Sequence, residues 1–172
     1  MVDSRTATFC GTLEYMAPEM MANNDYGFSA DWFSFGILLF EMLSCKNPFK
    51  NDNQEPASRE EVPMKMQEIL NRNSEEFFEG CEFTPESQDL LEKLLRYDPE
   101  MRIGCRENLG VNEIKQHPFF TGIDFDLIER KGMKAPYVPE KSKDDPTNVS
   151  YFSSHFTKMN VDRETPVDSR ML

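Results

Sequence analysis

A mainly α-helical domain followed by a polar, partly unstructured extension is the fold class that this sequence predicts, and three observations carry the expectation. An apolar fraction of 38% beside a charged fraction of 29% over 172 residues provides one core with a large solvated surface. The run ADWFSFGILLFEMLSC (30–45) is apolar on nearly every face and too long for a strand. From Thr121 onward there is little to bury, and PYVPEKSKDDPTNVS (136–150), rich in Pro, Lys, Asp and Ser, reads as extended or disordered.

Taken in order, the chain first offers a loop. Residues 8–19, TFCGTLEYMAPE, have neither helix nor strand period, and Thr, Gly and Pro punctuate them into a surface loop that closes in a turn. MMANNDYGFS (20–29) is a polar connector. Ser29 offers an N-cap and Asp31 a first-turn acid for the long helix, which is expected to be buried all round. Asn47-Pro48-Phe49 ends it, and KNDNQEPASREEVP (50–63) reads as an exposed loop. Met64 to Asn71 forms a short helix with Met66, Ile69 and Leu70 on its apolar side. Thr84 caps the next helix, with Pro85 at its first position. Leu90, Leu91, Leu94 and Leu95 make that helix amphipathic, and Asp98-Pro99 stops it. VNEIKQHPFF (111–120) is the last short helix expected.

A net charge of −12 argues against a phosphate-backbone binder, so no nucleic-acid partner is expected. The acidity either steers basic peptides toward the protein or only keeps it soluble. Cys10, Cys45, Cys81 and Cys105 are far apart, with no CxxC pair and no nearby His cluster, so neither zinc nor a disulfide framework is expected. The first residues lack the apolar core of a signal peptide. The longest apolar run, Trp32 to Leu43, is broken by Ser34, Gly36 and Glu41 and is too short to span a bilayer. A soluble intracellular protein is the expectation, cytoplasmic or nuclear.

The ordered positions of residues 8–19, T-F-C-G-T-x-E-Y-x-A-P-E, closely resemble the activation segment and P+1 loop of AGC-group serine/threonine protein kinases. Further motifs follow in the same order. Asp31, Trp32 and Gly36 resemble the D-W-x-x-x-G of the central helix, and Asn47-Pro48-Phe49 the P-P-F turn. Residues 98–104, DPEMRIG, are similar to D-P-x-x-R-x-G. His117 resembles the His of the closing H-P-F-F signature, which implies a packing role. APYVP, SYFSSHFT and then Thr165-Pro166-Val167-Asp168-Ser169 resemble the AGC C-terminal tail and its turn motif. The resemblance implies a partial kinase C-lobe over 1–120 and an AGC tail over 121–172, with the N-lobe β-sheet absent. In style it is nearest the S6-kinase and protein-kinase-B branches.

Residue by residue, the resemblance makes Thr8 the activation-loop phosphosite and Thr12 the P+1-loop threonine. Phe9, Leu13 and Met16 match the pocket for the residue after the phosphoacceptor, although Leu13 replaces the commoner Pro. Glu41 with Tyr15 matches the pair that takes a substrate Arg, and Glu14 a second acidic contact; the plainer alternative is that Glu41 only bonds Tyr15. Glu19 and Arg102 match a buried ion pair. Asp31 matches the anchor of the catalytic-loop backbone, the alternative being a simple first-turn charge. Thr165 matches the turn-motif phosphosite.

ATP and Mg²⁺ are implied for the complete kinase, whose chemistry needs a lysine on the phosphates, metal ligands and an Asp to orient the hydroxyl. No G-x-G-x-x-G occurs among the eight glycines, nor any V-A-I-K, H-R-D or D-F-G. Asp25-Tyr26-Gly27 lies on the wrong side of Ala17-Pro18-Glu19, and Asp124-Phe125-Asp126 is a similar decoy. No catalytic or metal-ligating residue is therefore assigned. The expectation is part of a kinase that phosphorylates Ser or Thr in Arg-containing basic proteins, with Thr8 modified by an upstream kinase and this segment inactive alone. The alternative is a non-catalytic, kinase-like binding module. Isolated, the segment should expose apolar surface near its long helix.

Overall fold

A computed structural model describes residues 12–22, 25–50, 61–105, 109–138 and 149–158. The fold is mainly α-helical, and no β-sheet is present among the described residues. Eight α-helices run in order among them: α1 Pro18–Met21, α2 Ser29–Ser44, α3 Glu61–Leu70, α4 Ser74–Phe77, α5 Pro85–Leu94, α6 Val111–Lys115, α7 Phe125–Glu129 and α8 Ser154–Thr157. Single turns of 3₁₀ helix stand at Leu13–Tyr15, Pro99–Met101 and Pro118–Phe120. The chain divides into two units, 1–126 and 127–172. None of the described helices is long and apolar enough to cross a membrane.

The core of the first unit is built on α2 and α5. Phe33, Ile37 and Phe40 from α2 meet Leu90, Leu91 and Leu94 from α5, all essentially sealed from water. Each such side chain contributes about 1.5–3 kcal/mol on burial. Gly36 allows the close approach: a Cβ there would stand 2.9 Å from both Leu94 Cβ and Leu95 Cδ2. Phe40 also lies among Phe77, Phe78 and Phe83, with ring centroids 5.6, 6.2 and 5.0 Å away. These rings bind the α4 segment and the residues just before α5 to α2, in the offset and edge-on contacts that aromatic quadrupoles favour.

Local chemistry accounts for most helix ends. Thr84 Oγ1 accepts the Ser87 N–H at 3.2 Å and Pro85 follows it, so α5 starts at a satisfied cap. Asn73 caps α4 in the same way, accepting the Glu76 N–H at 2.9 Å. Asp98 does so for the 3₁₀ turn after α5, accepting the Glu100 N–H at 3.0 Å. Cys45 closes α2 in the left-handed region, at φ 58°, and donates its N–H to the Glu41 carbonyl at 2.8 Å.

Four expectations need correction. Ser29 is the first residue of α2 rather than its cap. Phe28 holds the cap position, and the Ala30 and Asp31 N–H groups reach back to the Gly27 and Phe28 carbonyls at 3.1 Å each, so a backbone turn starts the helix. The long helix is not buried all round: Leu38, Met42 and Leu43 are exposed, Met42 by 72%. One long face of α2 thus lacks a covering element among the described residues, which is where exposed apolar surface was expected. Helix α3 begins at Glu61, so Glu61, Val62 and Pro63 are helical and not loop. Pro63 is tolerated there because first-turn N–H groups have no intrahelical acceptor. Finally, the helix after Gly110 stops at Lys115 and is not the last, since the single turns α7 and α8 follow it, one on each side of the 136–150 stretch. In α8, Ser153 Oγ accepts the His155 N–H at 3.3 Å, a local cap sufficient for a short turn.

Candidate functional site

The turn at Leu13–Tyr15 leans on α2 through one residue held at both ends. The Tyr15 carbonyl accepts the Ser34 hydroxyl at 2.7 Å, while the Tyr15 hydroxyl donates to Glu41 Oε2. Ser34 and Glu41 stand seven positions apart, two turns of helix, and so share one face of α2. Ser34 was not singled out in the sequence. Its only signal there is that it and Glu41 are polar interruptions, two turns apart, in an apolar helix.

Glu41 is half-buried, and its second oxygen has no partner among the described residues. The carboxylate is therefore oriented by the phenol yet keeps acceptor capacity. That hydrogen bond, chiefly, holds the Tyr15 phenol above its ordinary pKa; partial desolvation and the charges of Glu41 and Glu14 add to the effect. Glu14 is exposed, and its backbone carbonyl accepts the Asn47 side-chain amide at 3.5 Å. Thr12 is exposed, and Leu13 is half-buried against the core. Met16 is 3% exposed, so it supports the turn from beneath and offers no open surface. The exposed rim is thus acidic, with Leu13 as its accessible apolar element. Asp31 is exposed in the first turn of α2, with no side-chain partner among the described residues. Thr8, Phe9 and Thr165 lie outside the described residues.

Below this surface Arg102 and Glu19 are joined, both buried. Arg102 Nη1 donates to Glu19 Oε1 at 2.6 Å and Nη2 to Oε2 at 2.8 Å, a bidentate fork. The remaining donors are also placed: Nη1 to the Ser29 carbonyl at 3.0 Å, Nη2 to that of Tyr97 at 3.1 Å and Nε to that of Arg96 at 2.8 Å. The guanidinium carries five N–H donors, and these five bonds engage them all. Its carbon lies 4.8 Å from the Phe33 ring centroid. This one side chain joins α1, the start of α2 and the segment after α5.

A second buried polar group, His117, is tied to α5. His117 Nδ1 accepts the Phe119 N–H at 3.3 Å, which leaves Nε2–H to donate to Asp89 Oδ2 at 2.8 Å. Lys93 reaches the same oxygen at 2.6 Å. The Lys93 ammonium holds the Asp89 carboxyl below the ordinary carboxylate range; burial opposes this and the His117 bond reinforces it. His117 thus combines burial with a polar clasp between α5 and the turn at Pro118–Phe120. Its Asp89 partner was not foreseen, because nothing local links residues 28 positions apart.

Residues 1–120 match the family described as protein kinase domain. Protein kinase C-like 2 of Schizosaccharomyces pombe is 36% identical over 165 residues, which cover 96% of this chain and 14% of that protein. Ribosomal protein S6 kinase alpha-2 of Homo sapiens is 36% identical over 167 residues, 97% of this chain and 20% of that protein. Protein kinase C zeta type of Oryctolagus cuniculus is 34% identical over 148 residues, 81% of this chain and 23% of that protein. The chain spans less than a quarter of the length of each of these relatives.

Proposed function

The chain belongs to the protein kinase domain family and is similar to its protein-kinase-C and S6-kinase members; from that premise we propose that it forms the substrate-docking part of a serine/threonine kinase that phosphorylates Arg-containing basic proteins. The observation that carries this reading is the Glu41 carboxylate, held by Tyr15 with one oxygen unengaged among the described residues, beside an exposed Glu14. A guanidinium matches such a group in charge and in fork geometry. Leu13 would contact the residue after the phosphoacceptor, with Phe9 as a further part of that pocket and Met16 supporting it from beneath. Thr12 would meet the catalytic residues of the complete enzyme, and Asp31, exposed on the first turn of α2, would hold the catalytic-loop backbone. In this reading the Glu19–Arg102 pair keeps the docking turn in place.

Two phosphorylations belong to the same proposal. Thr8 would receive a phosphate from an upstream activating kinase, adding close to two negative charges and three acceptors that order a loop near cationic groups. Thr165 would be the turn-motif site of the tail. Placement within the AGC group nearest the S6-kinase and protein-kinase-B branches, and a cytoplasmic or nuclear location, fit this role.

ATP and Mg²⁺ do not fit the residues described. No group of three or more His, Cys, Asp or Glu side chains gathers to hold a metal among them. The β-sheet lobe in which the family carries its Gly-rich loop and lysine is likewise not among them. No phosphoryl-transfer step is therefore assigned to the described residues.

The test is a titration of the 172-residue chain with a fluorescein-labelled peptide carrying Arg two positions before Ser, and with its Arg-to-Ala counterpart. The Arg peptide should bind more tightly, and Glu41→Gln should remove most of the difference. Equal binding of both peptides to the unaltered chain would overturn the reading.

A further inference from the structure

Two serines inside α2 spend their hydroxyls differently. Ser44 donates to the Phe40 carbonyl four residues back, at 2.8 Å, the local bond that helical serines commonly make. Ser34 has the Ala30 carbonyl four residues behind it, yet it donates outward to the Tyr15 carbonyl at 2.7 Å, across 19 positions of sequence.

That bond fixes one end of a residue whose other end also rests on α2. The Tyr15 hydroxyl donates to Glu41, seven positions and about 10 Å along the helix from Ser34. Tyr15 therefore lies along two turns of α2, anchored at its carbonyl and at its phenol. Within the turn the Tyr15 N–H reaches the Thr12 carbonyl at 3.0 Å, and Thr12 supplies no side-chain cap. Asn47 meets the neighbouring Glu14 carbonyl only at 3.5 Å, so the Ser34 bond is the firmer hold on this backbone. A tyrosine side chain turns about two torsions, so the place of its backbone decides where the phenol oxygen can reach.

We propose that Ser34 is a positioning residue for arginine recognition: its hydroxyl holds Tyr15 where the phenol orients the Glu41 carboxylate toward a substrate guanidinium. This inference rests on the docking role proposed for Glu41. Ser34 bonds the Tyr15 backbone and acts only through it. A guanidinium needs a carboxylate set in the plane of its fork, whereas a lysine ammonium is a compact charge that tolerates many orientations. If Tyr15 slackens, Glu41 keeps its charge and loses its set direction. The preference for Arg over Lys should then fall, while attraction for a cation of either kind remains.

Fluorescein-labelled peptides with Arg, Lys or Ala two positions before Ser are titrated against the 172-residue chain and its variants. Ser34→Ala removes the hydroxyl and keeps a strong helix former. It should lower the Arg-over-Lys preference about fivefold, the worth of one ordinary hydrogen bond, and leave the Lys-over-Ala preference nearly intact. The Tyr15 titration, read as the difference from Tyr15→Phe, should move toward its ordinary value, because the Glu41 contact is what chiefly raises it. Ser34→Thr, which retains a hydroxyl, should restore both readings. In a Glu41→Gln background Ser34→Ala should cost nothing further, since its route to the substrate is gone. An Arg-over-Lys preference unchanged in Ser34→Ala would overturn the proposal, as would an unmoved Tyr15 titration or an added loss in the Glu41→Gln background. An unaltered chain that favours Arg over Ala but not over Lys would overturn the positioning role alone. Equal binding of the Arg and Ala peptides would overturn the docking reading, and the role of Ser34 in recognition with it.

Discussion

Glu19 and Glu41 are both carboxylates held by a partner distant in sequence, and they end in opposite conditions. Glu19 is 8% exposed and takes a bidentate fork from Arg102, whose other N–H groups are all used on carbonyls. Glu41, half-buried at the edge of the turn, takes one phenolic hydrogen bond and keeps an oxygen without a partner among the described residues. A buried ion pair with no remaining capacity can only hold structure together. A carboxylate oriented by a neutral donor can still bind something else. The difference lies in how many donors reach each carboxylate and whether water can replace them.

Loss of Arg102 should have the largest effect. Arg102→Ala strands the Glu19 charge and frees the carbonyls of Ser29, Arg96 and Tyr97, a loss of about 3–5 kcal/mol. Denaturant titration showing an unchanged midpoint would erase the distinction between the two carboxylates. Gly36→Ala probes the packing beneath both. With Leu94 and Leu95 atoms 2.9 Å from the added Cβ, α2 and α5 must separate slightly, at about 1–3 kcal/mol. A melt as stable as that of the parent would show that the interface yields freely.

Smaller effects are expected at the open carboxylate. Glu41→Gln should leave stability within about 0.5 kcal/mol, because the site is at the surface. It should instead lower the Tyr15 phenol toward its ordinary pKa of about 10, read from phenolate absorbance. The sign follows from the raised folded-state pKa: the Tyr15 contribution is present below the ordinary phenol value and lost as pH rises through the folded one. An unmoved Tyr15 titration would mean that the Glu41 contact does not set the phenol. The smallest effect belongs to Asp89, whose pKa is lowered on folding. Its contribution is present above the ordinary carboxylate pKa of about 4 and fades as pH falls through the folded value. Solvent screening keeps it slight, since about half of the Asp89 side chain is exposed. Asp89→Asn should therefore flatten the acid limb of a stability profile only a little, and a steep change would place Asp89 among the buried pairs instead.

Helices were legible where their causes are local. Thr84-Pro85 marks the start of α5, and Leu90, Leu91, Leu94 and Leu95 mark its buried face, because a cap and a 3.6-residue period need only neighbours in the chain. The start of α2 was misplaced by one residue since Ser29 is a good capping type, whereas backbone bonds from Gly27 and Phe28 begin the turn. Its complete burial was over-read because composition alone does not state how many faces find a cover. Leu38 and Met42 are as apolar as Ile37, yet they point where no described element packs. At the candidate site, the sequence pattern named Tyr15 and Glu41 but was silent on Ser34, a small polar residue whose importance lies only in the carbonyl it reaches.

The sequence by itself determined the helical class, the principal helices and the family, because these rest on periodicity, capping and ordered motifs carried along a single strand of chain. Only the tertiary structure decided which polar groups are used up and which remain available. Arg102 meets Glu19 across 83 positions, Glu41 meets Tyr15 across 26 and Asp89 meets His117 across 28. Whether a buried charge is satisfied, or a surface carboxylate left free to bind, depends on partners assembled over such distances, and no local rule of sequence specifies them.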